Sequence, residues 1–167
     1  MTPIICVGEA LEVRQAGDQV THVVEQLRGS VEGVTDLVKV VIAYEPVWAI
    51  GSGLAATPEQ AEQVAAKLRE TLAELYGADV ADATRILYGG SVKSGNIASL
   101  MREPNVDGAL VGGASLDVAE FASIARFQKL AHGLYHVYST RPMSIDFHRQ
   151  DVKVEPKGET TLDAAGR

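Results

Sequence analysis

The chain has one cysteine, Cys6, in 167 residues. That excludes an intramolecular disulfide framework and fits a reducing compartment. It also lacks basic excess: 15 Lys/Arg stand against 22 Asp/Glu, for a net charge of −7. Without a positive surface field, neither nucleic acid nor an anionic membrane is an expected partner. No apolar run approaches the length of a membrane span, and the first residues carry no basic segment leading into an apolar signal core. The cytoplasm is the expected compartment. What the chain does have is 46% hydrophobic residues, ample for the packed core of one domain, or of one domain with an appendage.

Charge divides the chain. Residues 1–127 hold 9 Lys/Arg and 17 Asp/Glu, whereas 128–167 hold 6 and 5. The later stretch also loses the periodic patterning of the earlier one. A domain over 1–128 followed by an appended tail over 129–167, partly irregular or disordered, is expected. Within the tail, Tyr135, Val137 and Tyr138 suit a short strand, and Thr160 to Arg167 read as frayed.

Four apolar, β-branched runs recur before residue 128: Ile4–Val7, Val38–Tyr44, Arg85–Tyr88 and Val106–Val111. Their near-continuous apolarity suits parallel strands covered on both faces. Helical patterns come after each. Thr57-Pro58-Glu59-Gln60 combines a cap, a proline at the first helical position and a capping-box Gln. Ala61, Val64, Ala65, Leu68, Leu72 and Leu75 then mark one face before Gly77 ends the helix. Val20, Val23, Val24 and Leu27 predict another helix, Gly95 to Arg102 a shorter one stopped by Pro104, and Leu116, Val118, Phe121 and Ile124 a last one. Alternating βα units imply a (β/α) barrel or an open doubly wound sheet. A barrel needs eight strands and about 250 residues, so four units amount to half of one. Half a barrel leaves two sheet edges exposed, and something is expected to close them.

Glu45 stands where the second run stops and a loop marked by Pro46, Trp48 and Gly51 begins. Reactive groups in α/β proteins gather at such strand ends, because the scaffold fixes the side chain while the adjoining loop stays free to move. Glu45 is therefore the candidate base. Three glycine turns also fall at strand ends: Gly51-Ser52-Gly53, Gly89-Gly90-Ser91 and Gly112-Gly113. Each alone is most simply a tight turn requiring positive φ. Taken together, the last two lie on adjacent strands, where backbone N–H groups converge on an anion with help from the helix N-terminus expected after Gly113. Cys6, embedded in the first run, reads as inert packing near the base.

The words Pro3-Ile4-Ile5-Cys6-Val7-Gly8-Glu9, Ala43-Tyr44-Glu45-Pro46-Val47-Trp48-Ala49-Ile50-Gly51, Tyr88-Gly89-Gly90-Ser91-Val92 and Leu110-Val111-Gly112-Gly113-Ala114-Ser115-Leu116 carry a specific resemblance. From about residue 2 to 127 the chain resembles the C-terminal half of the triosephosphate isomerase family, strands 5–8 of a TIM barrel. The resemblance implies that Glu45 is the catalytic base interconverting dihydroxyacetone phosphate and D-glyceraldehyde 3-phosphate through an enediolate, a step of glycolysis and gluconeogenesis. The family's pairing of a Glu base with a neutral His electrophile comes with the resemblance. So do Gly51, Ser91, Gly112 and Gly113 as donors to the substrate phosphate, and Pro46 to Ala56 as a closing lid with Trp48 anchoring its first hinge. Leu54-Ala55-Ala56 stands where the family often has Lys-Thr-Ala, which implies an altered opening rate. The family implies a homodimer, no metal and no cofactor.

The resemblance also marks which parts these residues do not supply. The family's earlier units provide an Asn, a Lys, the electrophilic His and the dimer loop. The histidines here are His22, on a predicted helix, and His132, His136 and His148 in the tail. The expectation is an isomerase half, longer at its N-terminus in nature or truncated, inactive until an N-terminal half is supplied. The alternative is a non-catalytic half barrel that self-associates and keeps residual phosphate binding.

Overall fold

The computed structural model describes residues 1–127 and, beyond them, the backbone of four strands at 135–139, 144–148, 151–155 and 160–162. Strands β1 (Ile4–Val7), β2 (Val41–Tyr44), β3 (Arg85–Tyr88) and β4 (Gly108–Val111) pair in parallel in chain order. Helices α1 (Leu11–Ala16) and α2 (Gln19–Ser30) connect β1 to β2. Helices α3 (Pro58–Tyr76) and α4 (Ala78–Ala83) connect β2 to β3. The short α5 (Ile97–Leu100) leads to β4, and α6 (Val118–Ala125) comes after it. The parallel α/β architecture is therefore as expected. Among the described residues no helix is long and apolar enough to cross a membrane.

Local chemistry explains most boundaries. In α3 the Thr57 hydroxyl accepts from the Gln60 N–H while the Gln60 side chain accepts from the Thr57 N–H, closing the capping box. Its Ala61, Val64, Ala65, Leu68 and Leu72 are buried as the stripe predicts, whereas Leu75, expected on the same face, is exposed in the last turn; each buried Leu contributes about 1.5–3 kcal/mol. Four expectations need correction. Val38 is half exposed, because Leu37–Lys39 forms a 3-10 turn before β2 begins. Gly17, at φ 86°, ends α1, a helix that the apolar pattern did not predict. The helix expected from Gly95 shrinks to four residues. After Gly112 the chain makes a 3-10 turn (Gly113–Leu116), so α6 starts only at Val118; Leu116 and Val118 are exposed while Phe121 and Ile124 are buried.

Strand alternation sorts the side chains. Val7, Ile42, Tyr44, Ile86, Tyr88, Ala109 and Val111 belong to the main core beneath the helices, and Ile5 packs against it. Val41, Ala43, Leu87 and Leu110 form a smaller cluster on the other face. The next inner-face positions beyond the strands are Glu45, Gly89 and Gly112, so backbone periodicity alone aims these three above the inner cluster.

Of the two edges expected to need closing, the β4 edge is paired. Strand β5 (Tyr135–Ser139) lies parallel to it, with Gly108 opposite His136 and Val111 opposite Ser139. Strands β6 (Ser144–His148), β7 (Asp151–Glu155) and β8 (Thr160–Leu162) continue the sheet antiparallel. The short strand expected around Tyr135 to Tyr138 is present; the fraying expected from Thr160 is corrected for 160–162, which pair with β7 as β8, and 163–167 lie outside the described residues. No described strand pairs with the outer edge of β1.

Candidate active site

Glu45 comes directly after β2. Its N–H donates to the Val7 carbonyl (2.7 Å), which extends the β1–β2 ladder by one bond and fixes its backbone. The side chain is half-buried on the inner face, beside Cys6 and over Gly89. Burial pushes its carboxyl pKa up; a hydrogen bond from the Cys6 thiol opposes this in part. Burial and the neighbouring carboxylate in turn push the Cys6 thiol up. Glu45, Cys6, Val7, Gly8, Gln26, Ser30 and Val47 line a cleft of about 400 Å³. Cys6 is exposed there, which corrects its expected place in the core. On β1 it has the inner-face parity of Ile4, whereas Ile5 and Val7 meet the helices.

A second carboxylate organises the adjoining loop. Glu9 is fully buried, and its Oε1 accepts from Trp48 Nε1 (2.9 Å), Arg14 (2.9 Å) and the Tyr44 hydroxyl (3.1 Å). Its Oε2 has no partner among the described residues. The Arg14 guanidinium also lies 5.1 Å from the Trp48 ring centroid, a cation–π contact. Trp48 is thus anchored near the start of the expected lid segment, 46–56. Burial and the charge of Glu9 push the Tyr44 phenol far up, so it remains a donor. Sequence reasoning passed over Glu9 as a site residue; its signal was a carboxylate immediately after a strand and Gly8.

The far end of the segment is also held. The Ala56 N–H donates to the Tyr88 hydroxyl (3.1 Å). Between these anchors Ile50 and Leu54 are exposed, as is Val47 just before them, and Gly51 (φ 66°) and Gly53 (φ 82°) turn the chain. The Ser52 hydroxyl bridges the turn, donating to the Trp48 carbonyl (2.7 Å) and accepting from the Leu54 N–H (3.2 Å).

The predicted phosphate donors divide between the lid segment and two strand ends. The Ser91 hydroxyl donates to the Ala49 carbonyl (2.7 Å), which ties the Gly89-Gly90-Ser91 turn to the lid segment. Gly112 and Gly113 end β4, next to β3. Glu120 on α6 accepts from the Ser94 N–H (2.7 Å) and hydroxyl (3.0 Å), joining the two loops. The N–H groups of Gly51, Ser91 and Gly113 donate to no other described residue. Positive φ explains Gly51 and Gly53 but not Gly89, Gly90, Gly112 or Gly113, so the tight-turn reading is corrected for those four. The helix N-terminus expected directly after Gly113 is a 3-10 turn instead. Gly51, Ser91, Gly112 and Gly113 do not line the cleft that holds Glu45. The fold therefore brings Glu45, the lid start and the Gly89–Ser91 turn together, with Gly112 and Gly113 on the neighbouring strand end.

Of the histidines, His22 lies on α2. Gln26 Oε1 accepts from the Gly8 N–H (2.8 Å), so Gln26 Nε2 is left to donate to His22 Nε2 (3.1 Å). His136 and His148 are on β5 and β6, and His132 falls outside the described residues.

A family model described as triosephosphate isomerase matches residues 1–128. The triosephosphate isomerase of Leifsonia xyli subsp. xyli is 64% identical over 129 residues, which is 77% of this chain and 50% of the relative. Those of Streptomyces avermitilis and Cutibacterium acnes are 55% and 54% identical, covering 77% and 76% of this chain and 50% of each relative. The chain spans about half the length of the curated relatives it matches. With the sequence words, the parallel βα units and these matches in agreement, the chain belongs to the triosephosphate isomerase family.

Proposed function

We propose that residues 1–128 correspond to strands 5–8 of a (β/α)8 barrel, that 129–167 are an appended segment, and that the chain contributes base and phosphate cradle to isomerisation of a triose phosphate. Glu45 takes a proton from one carbon of dihydroxyacetone phosphate and returns it to the next, giving D-glyceraldehyde 3-phosphate through an enediolate. A carboxylate suits this proton shuttle, because removal from water raises its basicity. Gly51, Ser91, Gly112 and Gly113 offer main-chain N–H groups to the phosphate, and the segment from Pro46 to Ala56 closes over it. Water exclusion then protects the enediolate. The donor that polarises the substrate carbonyl comes from the family's preceding units, and the working assembly is a homodimer.

The observation that carries this reading is the seat of Glu45: backbone fixed at a strand end, carboxyl half-buried with a raised pKa, at the root of an anchored lid. The test mixes purified chain with the N-terminal half of a relative and follows glyceraldehyde 3-phosphate isomerisation. Activity is expected on mixing and is expected to collapse with Glu45→Asp. Activity indifferent to that substitution would remove Glu45 from the chemistry.

A further inference from the structure

Gly89 lies where no turn geometry asks for glycine, since its φ is not in the left-handed region. The reason for its missing side chain is steric. A Cβ built there would lie 2.6 Å from Glu45 Cγ, 2.9 Å from its Oε1 and 3.2 Å from its Cδ. Strand parity explains the collision. Leu87 and Ala43 point to the same face, β2 and β3 pair with Ala43 opposite Leu87, and Glu45 and Gly89 are each two residues further on. The Gly89 N–H donates to the Tyr44 carbonyl (2.8 Å), so the turn is clamped to the strand that carries Glu45 and cannot back away. Cys6 lines the same cleft as Glu45, and the carboxylate adds to burial in pushing the thiol pKa up. Gly90 makes room for a different group, since a Cβ there would lie 2.1 Å from the Tyr88 hydroxyl that holds Ala56.

We propose that Gly89 is a positioning residue for Glu45: the volume left by its absent side chain is the seat that keeps the carboxylate against the Cys6 thiol, above the inner cluster. The significance of this seat rests on the reading of Glu45 as the base. Its existence is tested without turnover, so failure of one is separable from failure of the other.

Cys6 is the sole cysteine and is exposed, which makes it the reporter. Its alkylation by iodoacetamide, in which the thiolate sulfur displaces iodide, is followed against pH in the full chain. The carboxylate beside it holds the thiol protonated, so Glu45→Gln sets the fast limit. Gly89→Ala is expected to move the rate towards that limit, by about threefold at pH 8, equivalent to roughly half a pKa unit. Gly95→Ala, where an added Cβ meets nothing within 4 Å, is expected to match the parent. A Gly89→Ala profile superimposed on the parent overturns the proposal. A second measurement covers loss of folding. If the conflict is with the Glu45 side chain alone, Gly89→Ala lowers the thermal midpoint in the parent but not in a Glu45→Ala background. An equal loss in both backgrounds, or failure of the double variant to fold, also overturns it.

Discussion

The two ends of the same strands treat polar groups in opposite ways. Where β3 and β4 begin, Arg69 of α3 has every donor engaged. It reaches Asn105 Oδ1 (2.9 Å) and the Asn105 carbonyl (3.3 Å), the carbonyls of Ala81 (2.7 Å) and Thr84 (3.1 Å), and Asp107 (2.6 Å). Asp107 accepts in addition from the Ile86 N–H, and Glu62 holds both the backbone N–H and the side-chain amide of Asn105. Where the strands end, Glu45 is half-buried with a raised pKa, Glu9 keeps one oxygen without a partner among the described residues, and glycine amides are left open. A satisfied network rigidifies, whereas incompletely satisfied groups are held ready for something else. The sheet thus separates a fully satisfied end from one whose polar groups are left open.

Paired substitutions at the two ends should have opposite consequences. Glu45→Asp is expected to lower isomerase activity of the mixed halves by on the order of 10³, with the thermal midpoint nearly unchanged; a coupled assay beside a melt reads both. Arg69→Met should do the reverse. It leaves Asp107 partly buried without its cation and costs about 3 kcal/mol, measured by urea unfolding; a stability change below the error of that measurement would show that the network carries no special load.

Smaller changes sharpen the contrast at the strand ends. Tyr88→Phe removes the acceptor of the Ala56 N–H and should cost about 1 kcal/mol locally. The readout is faster hydrogen exchange at Ala56, with the exchange of α3 core amides unaltered; unchanged exchange at Ala56 would mean that the hydroxyl does not hold the second hinge. The smallest effect concerns pH. The folded carboxyl of Glu45 has a pKa above its unfolded value, so the folded state binds that proton more tightly. The cost of holding the charge is present above the folded pKa and fades as pH falls towards the unfolded one. Glu45→Gln is therefore expected to stabilise by about 0.5 kcal/mol near neutral pH, kept small by solvent in the cleft. The gain should vanish in acid, and a gain constant down to pH 4 would count against the charge as its cause.

Many of these features were legible in the residues. The Thr57 to Gln60 box placed a helix start to the residue, because a cap is a local hydrogen-bond pattern that needs no distant partner. The apolar runs at 4–7 and 85–88 became strands at those bounds. Glu45 after such a run could be singled out because a strand end fixes the backbone of the next residue. Less local features were not legible. Val38 belongs to an apolar run yet faces solvent, and Leu116 and Val118 fit a helical stripe yet are exposed. Cys6 reads as core and is exposed, since burial depends on the groups that stand opposite. Glu9 looks like an ordinary loop carboxylate until Arg14, Tyr44 and Trp48 arrive from three other elements.

By itself, the sequence determined the four parallel strand runs, the capped start of α3, the family, and which carboxylate comes after the second strand, because periodicity, capping and motif order are written within short stretches of chain. Only the tertiary structure decided that Glu45 rests over Gly89 beside Cys6, that Glu9 holds Trp48, and that Tyr88 holds Ala56. These contacts join positions 30 or more residues apart, and strand register, a property of the paired sheet and not of any one segment, sets which of them meet.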